Sequence, residues 1–332
     1  MIVPAYNAEG TVARAVRSAL MQPEATRVIV VDDASSDGTA EAARAADDGT
    51  GRLTVHVLCA NGGPAAARNA AIARSDEPVI AILDADDRFA PGRLSQLLCV
   101  PDWDLIADNI AFVREEDLTD AALPPMARPA AVTTLDLEGF VRGNMTRRGR
   151  GRRELGFLHP LMRREFLERA GLAYAPDMRL GEDYDLYTRA LLAGARYKLV
   201  DAVGYHAVER AGSLSGTHRT ADLARLCQVD TALLGDHRLA GCERVAVLAH
   251  RANTARRYHL RAFLDAKRHG GMARAAAYLA AHPAHGPSVV VDLGRAKWDG
   301  RHASSRDRRP RTLFDGTVLA AAPQATARGD TE

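Results

Sequence analysis

The stretch PVIAILDADD, residues 78–87, places a run of apolar side chains directly before three aspartates. The run predicts a buried strand, and Asp84 and Asp86 lie two residues apart, so that on extended backbone they point to the same side. Hard divalent cations prefer carboxylate oxygens, and Mg²⁺ is typically held by one or two carboxylates together with substrate phosphates. The stretch therefore predicts a strand that ends at a cation site, with a solvated acidic turn as the alternative.

The segments around this strand alternate between apolar strands and amphipathic helices. RVIVV (27–31) is an apolar strand that stops at the turn sequence DDASSDGT, and EGTVARAVRSALMQ before it predicts a helix. This order predicts an α/β fold with a mostly parallel central sheet and helices on both faces. Ligands of such sheets bind at the carboxyl ends of strands, where this chain carries PAYNAE, DDASSDG and DADD. The apolar face of the helix consists of Val12, Val16, Ala19 and Leu20.

The overall composition is that of an ordinary soluble protein. The 332 residues are 47% hydrophobic and 26% charged with a net charge of +2, which gives no general attraction to nucleic acid. No apolar run approaches the roughly 20 residues of a membrane span. The four cysteines have no metal-like spacing, so we expect free thiols and a cytoplasmic location. The first strand holds about three residues, so either this edge of the core is thin or the natural start lies upstream.

The chain changes character after about residue 219. Residues 220–282 are rich in Ala and Arg with helical periodicity, which predicts a helical extension. After Pro283 the periodicity fades, and we expect residues 283–332 to form a linker and a disordered tail.

Five motifs occur in one order: IVPAYNAEGTVARAVRSAL, VIVVDDASSDGT, NGGPAAARNAAI, VIAILDADD and GEDYDLYTRALLAG. Together they resemble the inverting family 2 glycosyltransferases with the GT-A fold, over roughly residues 1–215. The resemblance implies a transferase domain over residues 1–219, with a nucleotide-binding half (1–113) and an acceptor-side half (114–219). The roles assigned to individual residues of the five motifs are likewise implied by this resemblance.

The first two motifs are assigned to the nucleotide. Asp33, the second acid of VDD, would accept a hydrogen bond from the imide N–H of uracil. Its alternative role is a helix cap or turn former, which Ser36 or Asp37 could fill equally well. The residues assigned to the base and ribose are Pro4, Ala5, Tyr6 and Glu9.

The third motif supplies glycines and an arginine. Gly62 and Gly63 allow the backbone to approach a ligand closely. Arg68 would face the nucleotide diphosphate or ribose. Its alternative is a surface arginine that pairs with Asp76 or Glu77.

The LDADD stretch matches the family's DxD motif, which implies bound Mn²⁺ or Mg²⁺. Asp86 would be the direct metal ligand, and Asp84 and Ala85 would contact the nucleotide. Asp87 would orient Asp84 or Asp86 without contacting the metal itself. Some relatives place a histidine on the metal near His206, although a lone histidine is more often structural.

The fifth motif carries the proposed base. Asp183 matches the aspartate of the family's ED motif, with Glu182 and Asp185 beside it. Its carboxylate would take the proton of the acceptor hydroxyl. The alternative is a favourable acidic charge in the first turn of a helix. We expect His159 either to face the acceptor or to pack in the core.

The remaining polar segments have open interpretations. Segment 209–218 resembles one that closes over the donor in relatives, and its candidates are Arg210, Gly212, Ser213, Ser215 and Gly216. The basic loop and tail are either solvated or attracted to an anionic lipid-linked acceptor at a membrane surface. These arginines lie in Arg147–Arg153 and at Arg306, Arg308, Arg309 and Arg311.

The function that these motifs imply is metal-dependent, inverting transfer of one sugar from a nucleotide-diphosphate sugar, expected to be UDP-linked, to a glycan or lipid-linked acceptor. The chain lacks the Gln-x-x-Arg-Trp pattern of processive synthases, which favours single additions. The alternatives are a sugar-phosphate nucleotidyltransferase and a non-catalytic nucleotide-sugar-binding protein. We expect no nucleic-acid partner, and a cytoplasmic protein that can contact the inner face of the plasma membrane peripherally.

Overall fold

The computed structural model describes residues 1–117, 123–145, 154–209, 219–239, 241–301 and 311–314. The strands are β1 (Ile2–Ala5), β2 (Val28–Asp32), β3 (Leu53–Val57), β4 (Val79–Ile80), β5 (Arg88–Phe89), β6 (Leu105–Arg114), β7 (Val132–Leu135), β8 (Leu161–Arg163), β9 (Tyr197–Glu209) and β10 (Arg311–Thr312). The helices are α1 (Val12–Leu20), α2 (Thr39–Arg44), α3 (Pro64–Ile72), α4 (Arg93–Leu98), α5 (Leu137–Gly143), α6 (Arg164–Arg169), α7 (Glu182–Leu192), α8 (Thr220–Gly235), α9 (Gly241–Ala281) and α10 (Gly286–Arg301).

The first half of the chain forms a parallel sheet in the order β1-β2-β3. Every residue of β2 is buried, as expected for a strand with both faces covered. The four apolar residues predicted for one face of α1 are all buried in the core, which confirms that face. The sheet continues past β1 through a parallel bridge between Ile2 and Ile82, so the strand that ends in the aspartates lies beside the first strand.

The second half of the sheet is mixed. Its strands run in the order β4-β8-β6-β9-β5, with β7 on β9 and β10 on β6. The central pair β6 and β9 is parallel, whereas β8, β5, β7 and β10 all pair in antiparallel fashion. The α/β fold with a largely parallel central sheet is confirmed, and the antiparallel strands flank the parallel pair β6 and β9.

The C-terminal region contains more structure than the sequence predicted. Helices α8 and α9 occupy the segment expected to be helical, but α10 and β10 lie where the sequence predicted a linker and tail, so that prediction is wrong for residues 286–301 and 311–312. Asn109 of β6 explains the position of β10. Its side chain donates to the carbonyl of Phe314 (2.8 Å) and accepts from the N–H of the same residue (3.2 Å).

The extension is not one separate unit. Leu233 of α8 and Val247 of α9 belong to the main hydrophobic core, whereas Phe263, Ala275 and Val289 form a second small core between the end of α9 and α10. Gly270 and Gly271 interrupt α9 with non-helical backbone angles, which folds its second arm back onto α10.

Within the described parts of the chain, no helix is both long and apolar enough to cross a membrane. All four cysteines are free. Several sequence predictions fall on residues outside the described ranges. These are Arg147–Arg153, Arg210, Gly212, Ser213, Ser215, Gly216, Arg306, Arg308 and Arg309.

Candidate active site

The loops after β1 and β2 are joined to each other by hydrogen bonds. The backbone N–H of Asn7 donates to Ser35 Oγ (2.9 Å), and that of Ala8 donates to Thr39 Oγ1 (2.7 Å). Glu9 accepts from the N–H of Gly38 at 3.3 Å. Tyr6, the first residue of the loop after β1, is 50% exposed, so its ring is available to a ligand. Of the predicted base-binding residues, Ala5 is buried, Pro4 is half-buried, and Tyr6 and Glu9 face solvent.

Asp33 does not cap helix α2. Its carboxylate oxygens accept from the backbone N–H groups of Gly62 (2.8 Å) and Gly63 (2.7 Å), so the aspartate fixes the loop after β3. Gly63 has φ +84°, a left-handed conformation that favours glycine. The turn before α2 is instead held by Asp37, which accepts from the N–H and hydroxyl of Thr39 at 3.1 and 2.5 Å. The structure thus corrects the capping alternative for Asp33.

Arg68 is buried at the centre of a group of three acids and does not lie at the surface. Only 3% of the residue is exposed, so the predicted alternative of surface pairs with Asp76 or Glu77 is wrong. Its guanidinium lies 3.1 Å from Asp84 Oδ1, 2.5 Å from Glu182 Oε1 and 3.4 Å from Asp183 Oδ2. Burial alone would lower the pKa of Arg68, but these three carboxylates raise it well above its usual value, so the side chain stays charged. We call this set the Arg68 cluster.

The three aspartates of the DADD turn have different surroundings. Asp87 is buried, accepts from Tyr205 Oη at 2.7 Å and from the N–H of Val208 at 2.8 Å, and thereby ties the turn to β9. Burial, with the charges of Asp86 and Asp84, raises the pKa of Asp87 well above its ordinary range. Asp86 and Asp84 are both partly exposed, so their oxygens can be reached by a ligand. Ala85 between them is buried.

His159, predicted to face the acceptor or to pack in the core, is buried and contacts Asp84. Its Nε2 is 3.3 Å from Oδ2 of Asp84, and its Nδ1 lies 2.7 Å from the carbonyl of Phe157. The ring stacks on Tyr205 at 4.5 Å. Burial lowers the pKa of His159, but the charge of Asp84 outweighs it and raises the pKa; His159 and Arg68 in turn hold the pKa of Asp84 below its usual value despite burial. The sequence did not indicate this pair.

His206 is not brought to these acids. It lies opposite Arg88 across the β5–β9 pair, whereas its neighbour Tyr205 lies opposite Phe89. Because successive side chains of a strand point to opposite faces, and Tyr205 points to Asp87, His206 points to the other face. Burial, together with Arg88, lowers the pKa of His206. The structure therefore argues against the predicted metal-ligand role.

Asp183 stands at the start of α7, where its carboxylate is fixed by three groups. The hydroxyls of Tyr174 and Tyr187 both donate to Oδ1 at 3.2 Å, and Oδ2 faces Arg68. Burial and the charge of Asp183 raise the pKa of both tyrosines well above its ordinary value, so they remain donors. A carboxylate offers about four lone-pair sites, so acceptor capacity remains. The side chain is 14% exposed. Tyr187 lies four residues after Asp183, a helical spacing that could have revealed it.

The two other acids of the same helix turn differ from Asp183. Glu182 is buried against Arg68, and burial, opposed by Arg68 and reinforced by Asp183, raises its pKa to about 7. Asp185 instead forms a local ion pair with Arg189, one turn later, at 2.5 Å. Glu182 thus belongs to the Arg68 cluster, whereas Asp185 stabilises the helix.

The carboxylates present fit a divalent cation of the Mn²⁺ or Mg²⁺ type. Among the described residues no group of three or more His, Cys, Asp or Glu side chains is arranged as a complete metal site. A hard cation needs only one or two protein carboxylates when phosphate oxygens complete its shell. Asp86 is partly exposed and could provide such a ligand, whereas both oxygens of its neighbour Asp84 already face Arg68 and His159.

Comparison with known proteins identifies the family of this chain. The model of the family described as glycosyl transferase family 2 matches residues 1–117. The chain is 53% identical over 293 residues to the succinoglycan biosynthesis protein ExoU of Rhizobium meliloti (strain 1021), covering 87% of this chain and 85% of that protein.

Solved structures show the same fold. The structure of S. aureus TarS 1–349 with UDP-GlcNAc matches with a TM-score of 0.57 at 19% identity, over 81% of this chain and 73% of that one. The mannosyltransferase PcManGT from Pyrobaculum calidifontis, with GDP-Man and Mn²⁺, matches with a TM-score of 0.53 at 21% identity, over 90% of this chain and 79% of that one. The chain therefore belongs to glycosyl transferase family 2 and is a glycosyltransferase with the GT-A fold.

Proposed function

We propose that this glycosyltransferase moves one sugar, with inversion, from a UDP-linked sugar to a hydroxyl of a glycan or lipid-linked acceptor. The observation that carries the proposal is the Arg68 cluster. Arg68 contacts Asp84 of the DADD turn and Asp183 of α7 with the same guanidinium, so a donor-side acid and a candidate base are held a few ångströms apart. An inverting transfer needs this adjacency, because nucleophile and leaving group occupy opposite sides of one carbon.

The proposed step uses Asp183 as general base. Its carboxylate takes the proton of the acceptor hydroxyl while that oxygen forms a bond to the anomeric carbon. The bond from this carbon to the β-phosphate oxygen breaks at the same time, and its electron pair leaves with the nucleoside diphosphate. Tyr174 and Tyr187 orient the carboxylate through their hydrogen bonds.

On the donor side, the exposed ring of Tyr6 provides a surface for the base, and Asp33 with Gly63 shapes the loop beneath it. Asp86, supported by Asp84, would hold Mn²⁺ or Mg²⁺. A bound divalent cation neutralises charge that develops on a leaving diphosphate. The nucleotide sugars found with TarS and PcManGT support a donor of this class.

The biological setting is inferred from the relatives' names. The similarity to a succinoglycan biosynthesis protein over most of both chains supports a role in polysaccharide or cell-envelope glycan synthesis. Acceptors of such pathways include lipid-linked glycans, which favours a cytoplasmic enzyme working at the inner face of the plasma membrane.

A donor panel tests the proposal. The protein is incubated with Mn²⁺ and UDP-, GDP- or dTDP-linked sugars, and release of nucleoside diphosphate is measured. We expect one UDP-sugar to be turned over, and turnover to be lost with a chelator and in Asp86→Asn. Equal rates with and without metal would refute the assignment of Asp86. Pyrophosphate release from a nucleoside triphosphate and a sugar phosphate would instead identify a nucleotidyltransferase, and UDP binding without turnover would identify a binding protein.

A further inference from the structure

Helix α7 carries a second buried polar group directly beside the Arg68 cluster. The hydroxyl of Tyr184, the residue after Asp183, donates to Oδ1 of Asp230 on α8 at 2.8 Å. The other oxygen of Asp230 lies 2.8 Å from Nδ1 of His250 on α9. Tyr184, Asp230 and His250 are only 4%, 0% and 4% exposed. Three helices therefore meet through one buried carboxylate.

Ring packing adds a second constraint at the same place. The His250 ring stacks on that of Tyr184 with centroids 4.4 Å apart and planes 20° apart. Tyr184 also stacks on Phe140 of α5 at 6.0 Å. A rotation of α7 about its axis would break both the hydrogen bond and these stacks, because each depends on the direction of the Tyr184 side chain.

Helix α8 also holds the segment that leads into α7. Asp177 in that segment pairs with Arg225 of α8 at 2.8 Å. Gly181, which precedes α7 with φ +80°, lies so close to α8 that an added Cβ would be 3.1 Å from Leu226. The extension thus contacts α7 and the turn before it at three separate points.

The chemistry of Asp230 indicates why this contact is polar. Among the described residues its side chain has hydrogen bonds with Tyr184 and His250 only. Burying a carboxylate costs free energy that an apolar residue would not cost. Hydrogen bonds are directional, whereas apolar contacts tolerate rotation. A buried carboxylate at this junction therefore gives α7 one orientation at the expense of some stability.

We propose that Asp230 and His250 are positioning residues, which act through Tyr184 to hold α7 in the orientation that presents Asp183 to the acceptor hydroxyl. The C-terminal helices α8 and α9 are then part of the catalytic apparatus. The inference rests on the proposed function only where it takes Asp183 as the base.

Hydrogen–deuterium exchange tests the structural half of this inference without any substrate. Tyr184→Phe keeps both ring stacks and removes the hydroxyl. Tyr278→Phe is its matched control, because Tyr278 also bonds a histidine of the extension (His259, 2.8 Å) but lies away from α7. We expect peptides covering residues 182–192 to exchange about tenfold faster in Tyr184→Phe and unchanged in Tyr278→Phe. Equal α7 exchange in the two variants would overturn the inference.

Kinetics with the donor found in the panel tests the functional half. We expect Tyr184→Phe to lower kcat about tenfold while the donor KM and the affinity for UDP with Mn²⁺ stay unchanged, since only the base is displaced. Parallel loss of donor affinity and kcat would show general damage and contradict a positioning role. Should the panel fail while α7 exchange behaves as expected, the proposed function is wrong and the anchoring stands.

Substitution of Asp230 gives a second pair of variants. Asp230→Asn can still accept from Tyr184 and donate to a neutral His250, whereas Asp230→Ala can do neither. We expect Asp230→Asn to recover most of the α7 protection that Asp230→Ala loses. Equal loss in both variants would contradict the hydrogen-bond account.

Discussion

Two deeply buried arginines in the described part of the chain, Arg93 and Arg68, differ in the number of carboxylates that surround them. Arg93 is 0% exposed and donates from Nε and Nη2 to one carboxylate, Asp108, at 2.9 and 2.6 Å. It also donates to the carbonyl of His159, and its guanidinium lies 4.2 Å from the ring centre of Phe89. Arg68 instead faces three carboxylates, those of Asp84, Glu182 and Asp183.

This difference distinguishes Arg93, which stabilises the fold, from Arg68, which belongs to the candidate active site. One cation paired with one anion is balanced and needs nothing further, which suits a position beneath the sheet. One guanidinium does not balance three acids, and the pKa of Glu182 is raised to about 7 chiefly by burial, with Asp183 adding to the rise and Arg68 opposing it. Perturbed groups of this kind concentrate at functional sites. The comparison predicts that changes at Arg68 and its acids affect the reaction first, and changes at Arg93 affect the fold first.

The largest effect is expected for Asp183→Asn. An amide cannot take a proton, so we expect the transfer rate to fall about 10³-fold, the midrange of general-base contributions. The unfolding free energy should change by less than about 1 kcal/mol, because the amide oxygen can still accept from a tyrosine. Initial rates and urea unfolding measure both. The control is Asp185→Asn, which has the same change in the same helix turn; equal rates in the two variants would remove Asp183 from the mechanism.

The next effect concerns the buried ion pair of Arg93 and Asp108. Arg93→Met leaves Asp108 buried without its cation, which should lower the unfolding free energy by about 3–5 kcal/mol. Arg196→Met is the control, since Arg196 is 56% exposed in its pair with Asp104 and should cost no more than about 1 kcal/mol. Urea unfolding at pH 7 compares them. A loss in Arg93→Met no greater than in Arg196→Met would show that the buried pair does not support the fold.

A third effect depends on pH. Because burial raises the pKa of Glu182 from 4.5 to about 7, the folded state holds its proton more tightly than the unfolded chain, and the contribution of Glu182 to wild-type stability falls as pH rises from 4.5 to 7. Glu182→Gln cannot titrate. We expect the unfolding free energy of the variant minus that of the wild type to grow by about 2–3 kcal/mol between pH 5 and pH 8.

Urea unfolding of both proteins at the two pH values measures this change. The exposed Glu165→Gln is the control, because its 88% exposed side chain carries no buried charge. A difference that stays constant with pH would mean that Glu182 is ionised throughout, and the imbalance inferred for the Arg68 cluster would be absent.

The smallest effect is expected for Tyr205→Phe. This change removes the hydrogen bond that the hydroxyl donates to Asp87 (2.7 Å) and the one that it accepts from the N–H of Asp84 (3.3 Å), and it leaves the stack with His159 in place. We expect a loss of about 1–2 kcal/mol in unfolding free energy, since Asp87 keeps its hydrogen bond from Val208. Urea unfolding measures this loss. A loss as large as that of Arg93→Met would show that Tyr205 stabilises the fold as much as the ion pair of Arg93 and Asp108 does.

The sequence predicted those parts of the molecule that depend on local pattern. Apolar runs such as Val28–Val31 and the polar residues after them indicated the parallel sheet and the edge where the site lies. The environment of Arg68 could not be predicted, because its partners come from positions 16 and 114 or more residues away and meet only through the folded sheet.

The same limit explains the histidines. The sequence places His206 near the position expected for a metal ligand. Strand register, which sequence alone does not fix, points its side chain to the face opposite that of Tyr205. His159 contacts Asp84 because β8, which follows His159, pairs in antiparallel fashion with β4, which precedes Asp84, and no local motif signals this pairing. The periodicity fades after Pro283, so the sequence did not predict helix α10 and strand β10. Their stability comes from packing onto distant elements.

The short strand β10 bears on the order in which the protein is made. It pairs with Phe112 and Ala111 of the central strand β6, and Phe314 bonds to Asn109 across a separation of 205 residues. A chain that leaves the ribosome from its N-terminus completes the β1-β2-β3 sheet early, but the flank of β6 at residues 111–112 stays open until β10 has been synthesised. Until then this strand edge offers unpaired backbone groups to other chains.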